Sequence, residues 1–278
     1  MSGIGPISSM RRYHRPAQRR VLELTVQARE QLSPHFVCIT LAGDDVQHLE
    51  QSGYDQWGRF FIAGPGQDSI VLPQGDRWML QNGRTPAALR PRVRSYTIRR
   101  FHADARSFDV EVATHEPGPG HKPAPGSAWA LNAPLGQTVG FLDEGRQYTA
   151  PGDASWQLLV GDESALPAIL AILERSDTLP AEVFLEVPTD EDTRPAFPTP
   201  PGTTLRWLPR NDPDIRPGTL ALQAVKDATL PDGVFYTWTA GESGIPTGIR
   251  RHLVNDRGVP RSRIDFIGYW RQGRASLG

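Results

Sequence analysis

The chain has one cysteine in 278 residues, Cys38. A single thiol cannot close an internal disulfide, hold a Cys-ligated iron–sulfur cluster or form a redox Cys-x-x-Cys pair. Any redox chemistry must therefore come from a bound organic cofactor. Cys38 itself, in Phe36-Val37-Cys38-Ile39, reads as a small buried hydrophobe. An excess of either charge is also missing: 30 basic and 31 acidic residues leave a net −1, with no global field to draw nucleic acid. No apolar run approaches the about 18 residues of a membrane span. Nor does one follow Arg11, Arg12, Arg15, Arg19 and Arg20, so residues 1–19 read as a solvated basic arm and not as a secretory or twin-arginine leader. A cytoplasmic monomer is expected. The seven histidines show no HExxH and no close pair beyond His115 and His121, so no resident metal is expected.

What the chain does have is punctuation. It carries 27 glycines and 26 prolines, the latter roughly twice their usual share. So many turns favour a large β component over a helical bundle. The length suffices for two domains, each with its own core.

The first half alternates with period two. Leu22, Leu24 and Val26 oppose Glu23, Thr25 and Gln27, while Phe108, Val110 and Val112 oppose Asp109 and Glu111. Further short strands are predicted near 36–41, 59–63, 69–72, 95–101 and 138–142, with no amphipathic helix before residue 150. Many short antiparallel strands closed by turns predict a β-barrel over residues 20–148. Residues 149–155, with Pro151-Gly152, read as a linker. Beyond it the pattern changes to strands at 156–160, 183–187, 205–208, 234–239 and 264–269. Helices alternate with them, the first with Leu166, Ile169, Leu170 and Leu173 on one face and Pro167 in its first turn. Residues 156–278 are thus predicted to form a parallel α/β domain.

The sharpest constellation is Arg94-Ser95-Tyr96-Thr97, inside a predicted barrel strand. Alternation puts a guanidinium and an aromatic ring on one face, which suits a ligand with an anion beside a planar ring. Arginine clamps a pyrophosphate through charge-assisted hydrogen bonds. Tyr96 can lie against a flavin ring, and the Thr97 hydroxyl can donate to a ring nitrogen. Gly161-Asp162-Glu163-Ser164 is a strand-to-helix turn whose helix start can present N–H groups to a phosphate. Its two carboxylates would repel that phosphate and can serve as caps instead. Ser164 is no nucleophile elbow, since the G-x-S-x-G spacing is absent. Glu186, at a later strand end, either bonds a ribose hydroxyl and favours NADH or stands as a solvated strand-end carboxylate. Gly241-Glu242 follows a predicted strand at the carboxyl edge, where a nicotinamide should arrive.

The R-x-Y-T string resembles the flavin-binding signature of the ferredoxin–NADP reductase superfamily. Three more segments resemble the siderophore-interacting protein family of FAD-binding ferric-siderophore reductases. They are Phe108–Thr114 running into His115 and a Gly/Pro loop ending at Trp129-Ala130, then Gly161–Ala168, then Trp238–Glu242 with Gly268–Gly273. The resemblance implies a barrel holding FAD and a C-terminal domain receiving NADPH or NADH. It points to Arg94, Ser95, Tyr96 and Thr97 for the flavin, with Tyr96 and Thr97 at the reacting ring. Thr114, His115, Ser127 and Trp129 are expected around the rest of FAD. Gly161, Asp162, Glu163, Ser164, Gly241, Glu242 and Trp270 are expected at the nicotinamide nucleotide. Lys122, Arg271 and Arg274 are expected to meet an acidic ferric chelate. The loop Gly118–Ser127 is longer than the family's usual Gly-Pro-Ala-Ser-like turn, and Leu135-Gly136-Gln137 departs from its pattern. The implied activity is ferric-siderophore reduction. A general flavin or quinone reductase on the same scaffold, and a non-catalytic siderophore-binding protein, remain open at this point.

Overall fold

The computed structural model describes residues 13–102, 106–115, 124–175, 179–194 and 196–274. The chain divides into two units, residues 14–146 and residues from 147 onward.

The first unit holds strands β1 (Val21–Ser33), β2 (Phe36–Ala42), β3 (Trp57–Ile62), β4 (Arg92–Thr97), β5 (Arg100–His102), β6 (Ser107–Ala113) and β7 (Thr138–Gly145). Their order is β4-β3-β7-β1-β2-β6-β5, with every neighbouring pair antiparallel. β4 and β5 lie at opposite ends of that order, yet only Ile98 and Arg99 separate them in the chain. The Arg99 N–H donates to the Asp109 carbonyl in β6 at 2.8 Å. The sheet therefore closes on itself into a barrel, as the period-two pattern predicts.

Alternation sorts the side chains. In β1, Leu22, Leu24 and Val26 are buried while Glu23, Thr25 and Gln27 are exposed. The rings of Phe60, Phe108 and Phe141 fill the interior, with centroids 4.9–6.5 Å apart. Each ring so buried contributes about 1.5–3 kcal/mol. Phe141 lies so close to β3 that a Cβ at Gly58 would fall 2.1 Å from its ring.

Three expectations need correction here. Residues 69–72 form no strand; only the Val71 N–H, bonded to the Leu89 carbonyl at 2.9 Å, finds a backbone partner outside its own segment. The strand predicted over 95–101 is two, β4 and β5, broken at Ile98-Arg99; two short helices, neither of them amphipathic, also precede residue 150, α1 (Trp78–Arg84) and α2 (Pro125–Asn132). Both are too short for a 3.6-residue period to show. Finally β7 runs on past Leu142 to Gly145: Asp143 and Glu144 end the apolar run in the sequence, yet both are buried within the strand.

The second unit holds β8 (Trp156–Gly161), β9 (Ala181–Val187), β10 (Thr204–Pro209), β11 (Phe235–Glu242) and β12 (Ile264–Trp270). All neighbours run parallel, in the order β10-β9-β8-β11-β12. Helices α3 (Leu166–Arg175), α4 (Thr219–Asp227) and α5 (Gly244–Asn255) make three of the four crossovers; between β9 and β10 the described residues hold only a short turn at Asp190–Asp192. The chain builds outward from β8 to β10, then returns to the other side of β8. The reversal between β8 and β11 is the switch point at which open α/β sheets collect ligands, at the strands' carboxyl ends. α3 is buried at every residue from Leu166 to Leu173, so it is covered all round and not along one stripe. Among the described residues no helix is long and apolar enough to cross a membrane.

Candidate functional site

In the barrel unit the residues of interest meet where β4 faces the start of α2. Arg94 and Tyr96 share one strand face and are half-buried, whereas Ser95 is exposed and Thr97 buried on the other. Tyr96 packs edge-on against Phe60, with ring centroids 5.5 Å apart. Burial pushes its phenol up to about 12, against the pull of the Arg94 charge. Arg94 Nη1 donates to the Val93 carbonyl at 2.6 Å. A Cβ on Gly126 would fall 2.2 Å from Tyr96 Oη and 3.7 Å from Arg94 Cδ. The first turn of α2 thus lies against the Arg94–Tyr96 face only because residue 126 has no side chain.

Pro125 opens α2, and among the described residues no side chain caps its N-terminus. Helix N-termini leave backbone N–H groups without intrahelical partners, and these favour an anion. A guanidinium, a glycine cradle that a Cβ would fill and an uncapped helix start are the donor set a flavin dinucleotide's diphosphate requires. FAD fits these residues. Ser127 takes the His115 N–H on its Oγ at 3.3 Å, tying the strand exit to α2. Thr114 is buried and bonded to the His35 carbonyl through its N–H at 2.8 Å. Trp129 belongs to the barrel core, and its indole N–H donates to Gln137 Oε1 at 3.0 Å. Because α2 starts at Pro125, Gly126 and Ser127 are helical and not part of the predicted long loop.

In the second unit, Asp162 sits just past β8 and is fully buried. Its Oδ1 accepts the Ser164 N–H at 2.9 Å and the Ser164 hydroxyl at 2.5 Å. Its Oδ2 accepts the Glu242 N–H at 2.6 Å and the Trp270 indole N–H at 3.1 Å. One carboxylate therefore ties together the carboxyl ends of β8, β11 and β12. Burial and then the neighbouring Glu163 charge push Asp162 up to about 6, although the Ser164 and Glu242 donors oppose them. Gly241 adopts φ +134°, and a Cβ there would lie 2.7 Å from the Asp162 carboxylate. Only glycine meets both conditions.

Glu242 is equally enclosed. It accepts from Arg216 at 2.8 Å, from the Gly244 N–H at 2.6 Å and from the Gln272 N–H at 3.3 Å. Burial acts to raise its carboxyl, but Arg216 and these N–H groups hold it below the ordinary range. Glu163 receives both terminal nitrogens of Arg210 at 2.8 and 3.0 Å. Arg210 also bonds Glu186 at 2.8 Å. Glu186 in turn accepts the Gly218 and Ala221 N–H groups at 2.7 and 2.9 Å, capping the start of α4. Glu186 is thus neither a ribose ligand nor a solvated strand-end carboxylate: it is fully buried with both oxygens engaged. The negative charges expected to repel a phosphate are satisfied internally.

Arg271 and Arg274 are exposed; Lys122 lies outside the described residues. Among the described residues no group of three His, Cys, Asp or Glu converges as a metal site. Sequence reasoning missed Gly126, Arg210 and Arg216, whose partners lie 24 to 47 residues away. A closed antiparallel barrel with an arginine beside a helix start, followed by a parallel sheet with a switch point, defines a two-domain protein of the FAD-binding ferredoxin-reductase type.

Comparison with known proteins narrows the class. The model of the siderophore-interacting FAD-binding domain matches residues 25–148, and that of the siderophore-interacting protein matches residues 154–273. The chain belongs to the siderophore-interacting protein family and contains its FAD-binding domain. It is 29% identical over 251 residues to the ferric vibriobactin reductase ViuB of Vibrio cholerae, covering 87% of this chain and 86% of that one. The crystal structure of a siderophore utilization protein from T. fusca superposes with a TM-score of 0.77 at 28% identity, covering 99% of both chains. A ferredoxin reductase of carbazole 1,9a-dioxygenase shares the fold, with a TM-score of 0.61 at 18% identity over 92% of this chain and 71% of the other.

Proposed function

We propose that this protein is a cytoplasmic ferric-siderophore reductase. It takes electrons from NADPH or NADH and delivers them by way of bound FAD to ferric iron in its chelate, releasing ferrous iron. The observation that carries the reading is the Arg94–Tyr96 face set against the uncapped start of α2, inside the segment matched by the FAD-binding model. The similarity to ViuB, named a ferric vibriobactin reductase, supports the choice of acceptor.

In this reading Arg94 and the first-turn N–H groups of α2 bind the diphosphate. Tyr96 borders the isoalloxazine, with Thr97 donating to its edge; Ser95, Thr114 and His115 shape the surrounding surface. When bound, FAD supplies the conversion of a two-electron hydride into single electrons. Gly161 and Gly241 let the ends of β8 and β11 pack closely on Ala165 and Asp162, which shapes the carboxyl edge where the nicotinamide nucleotide docks. Ser164 and Trp270 are held there by Asp162. Internal pairing of Asp162, Glu163 and Glu242 keeps unpaired negative charge away from the nucleotide's phosphates. Exposed Arg271 and Arg274, with Lys122, attract an acidic ferric chelate. Ferrous iron is held far more weakly by oxygen-rich chelators, so reduction is release.

The test is spectroscopic. Purified protein should be yellow, bleach with NADH or NADPH without oxygen, and recover its colour on adding a ferric siderophore. Bleaching without recovery by any ferric siderophore points instead to a general flavin or quinone reductase. Protein that neither binds nor is reconstituted by FAD overturns the proposal.

A further inference from the structure

Between β3 and β4 the barrel unit carries an excursion, residues 69–92, that nothing above uses. It contains four of the seven exposed large hydrophobic residues among the described ones: Val71, Met79, Leu80 and Leu89. Met79 and Leu80 are 67% and 53% exposed, as two adjacent residues of α1. Their neighbour Trp78 turns inward and packs edge-on against Phe61 at 5.6 Å. That anchor fixes α1 on the barrel and leaves Met79 and Leu80 facing water.

The excursion is braced. Gln81 bonds both the N–H and the carbonyl of Gln74, at 2.6 and 3.2 Å. The Arg90 guanidinium holds the carbonyls of Gly83 and Thr85 at 3.1 and 2.8 Å. Val71 and Leu89 are joined backbone to backbone. Its charge is equally lopsided. Arg77, Arg84, Arg90 and Arg92 are all exposed, against a single carboxylate, Asp76, which is paired with Arg19 at 2.6 Å; Asp68 lies just before the segment. On a chain of net charge −1, this is a local concentration of positive charge around exposed apolar tips.

Two Leu, one Met and one Val without an exposed aromatic anchor make a poor protein–protein hot spot. Apolar tips ringed by arginines match the interface of an anionic bilayer. We propose that α1 and its flanks dock the protein on an anionic lipid surface, Met79 and Leu80 entering the headgroup region while Arg77 and Arg84 pair with lipid phosphates. This does not depend on the redox reading.

The test is co-sedimentation of the full-length protein with phosphatidylcholine vesicles made with and without phosphatidylglycerol. Protein should pellet only with the anionic vesicles, and high salt should release it, since the screening length shrinks to about 3 Å at 1 M. Arg77→Ala with Arg84→Ala should weaken partitioning about 25-fold, at about fivefold per arginine. Met79→Ser with Leu80→Ser should weaken it further still. Circular dichroism and the thermal midpoint, which exposed substitutions leave unchanged, confirm that both variants fold. No pelleting with phosphatidylglycerol, or pelleting that neither pair reduces, overturns the proposal. So does a dimer that Met79→Ser with Leu80→Ser converts to monomer, because the patch would then be a self-interface.

Discussion

Arg94 carries the heaviest single assignment. Its guanidinium is half-buried beside an uncapped helix start, where a charge-assisted hydrogen bond contributes about 1.5–3 kcal/mol. Arg94→Ala should therefore raise the FAD dissociation constant about ten- to hundredfold, measured by titrating the apoprotein with FAD. An unchanged constant removes the assignment. Asp162 makes a prediction about pH. Its carboxyl is raised from an unperturbed 3.8 to about 6, so the folded state binds its proton more tightly than the unfolded chain does. That contribution to stability is complete below pH 4 and is lost as pH rises through 6. About two units correspond to roughly 3 kcal/mol. In urea unfolding, the stability of the wild type relative to Asp162→Asn should be greatest near pH 4 and decline by up to that amount by pH 7. A difference independent of pH contradicts it. Cys38 is half-exposed on the barrel's outer face and not enclosed as its sequence context predicts, yet its surroundings disfavour the thiolate. Burial, then the charges of Asp109, Glu111 and Glu30, push its thiol up to about 12. A thiol reagent at pH 8 should label it far faster in urea than in the native protein.

At the scale of elements, the approach of α2 to β4 depends on Gly126. Gly126→Ala places a methyl against the Tyr96 hydroxyl, and overpacking of this kind costs about 1–3 kcal/mol. Thermal midpoint and FAD affinity should fall together. Adding Tyr96→Phe should restore part of the midpoint, because the colliding oxygen is gone; simple additivity of the two changes would refute the contact. In the α/β unit, Arg210 joins Glu163 to Glu186, and Glu186 caps α4. Arg210→Met leaves two buried carboxylates without their cation, a loss of roughly 3–5 kcal/mol that urea unfolding at pH 7 measures. Sequence was a good guide to β1 and β6, because the alternation survives there; it ran β4 and β5 together as one strand over 95–101, where the alternation fails, Ser95 being exposed and Thr97 buried on the same face. It was a poor guide to α1 and α2, which are too short to show a period. Pairings such as Glu186 with Arg210 depend on parallel register between β9 and β10, which no local pattern records.

For the molecule as a whole, order was the legible feature: turn-rich alternation first, strand–helix alternation after residue 155. Composition excluded cysteine-based redox chemistry and so pointed to an organic cofactor before any fold was known. The site was legible where chemistry is concentrated in a few adjacent residues, as at 94–97. It was illegible where a charged residue is consumed by folding; Asp162, Glu163 and Glu186 look alike in sequence, and only their surroundings show that all three are tied up inside the sheet's edge. The proposed function is a transfer from a two-electron donor to a one-electron acceptor. The most direct test is therefore a count. Anaerobic turnover of the FAD-loaded protein with limiting NADH or NADPH and excess ferric siderophore should trap about two ferrous ions per nicotinamide oxidised, in keeping with electron balance. Nicotinamide oxidation that yields no ferrous ion, or ferrous ion formed equally well by protein stripped of FAD, would contradict the account.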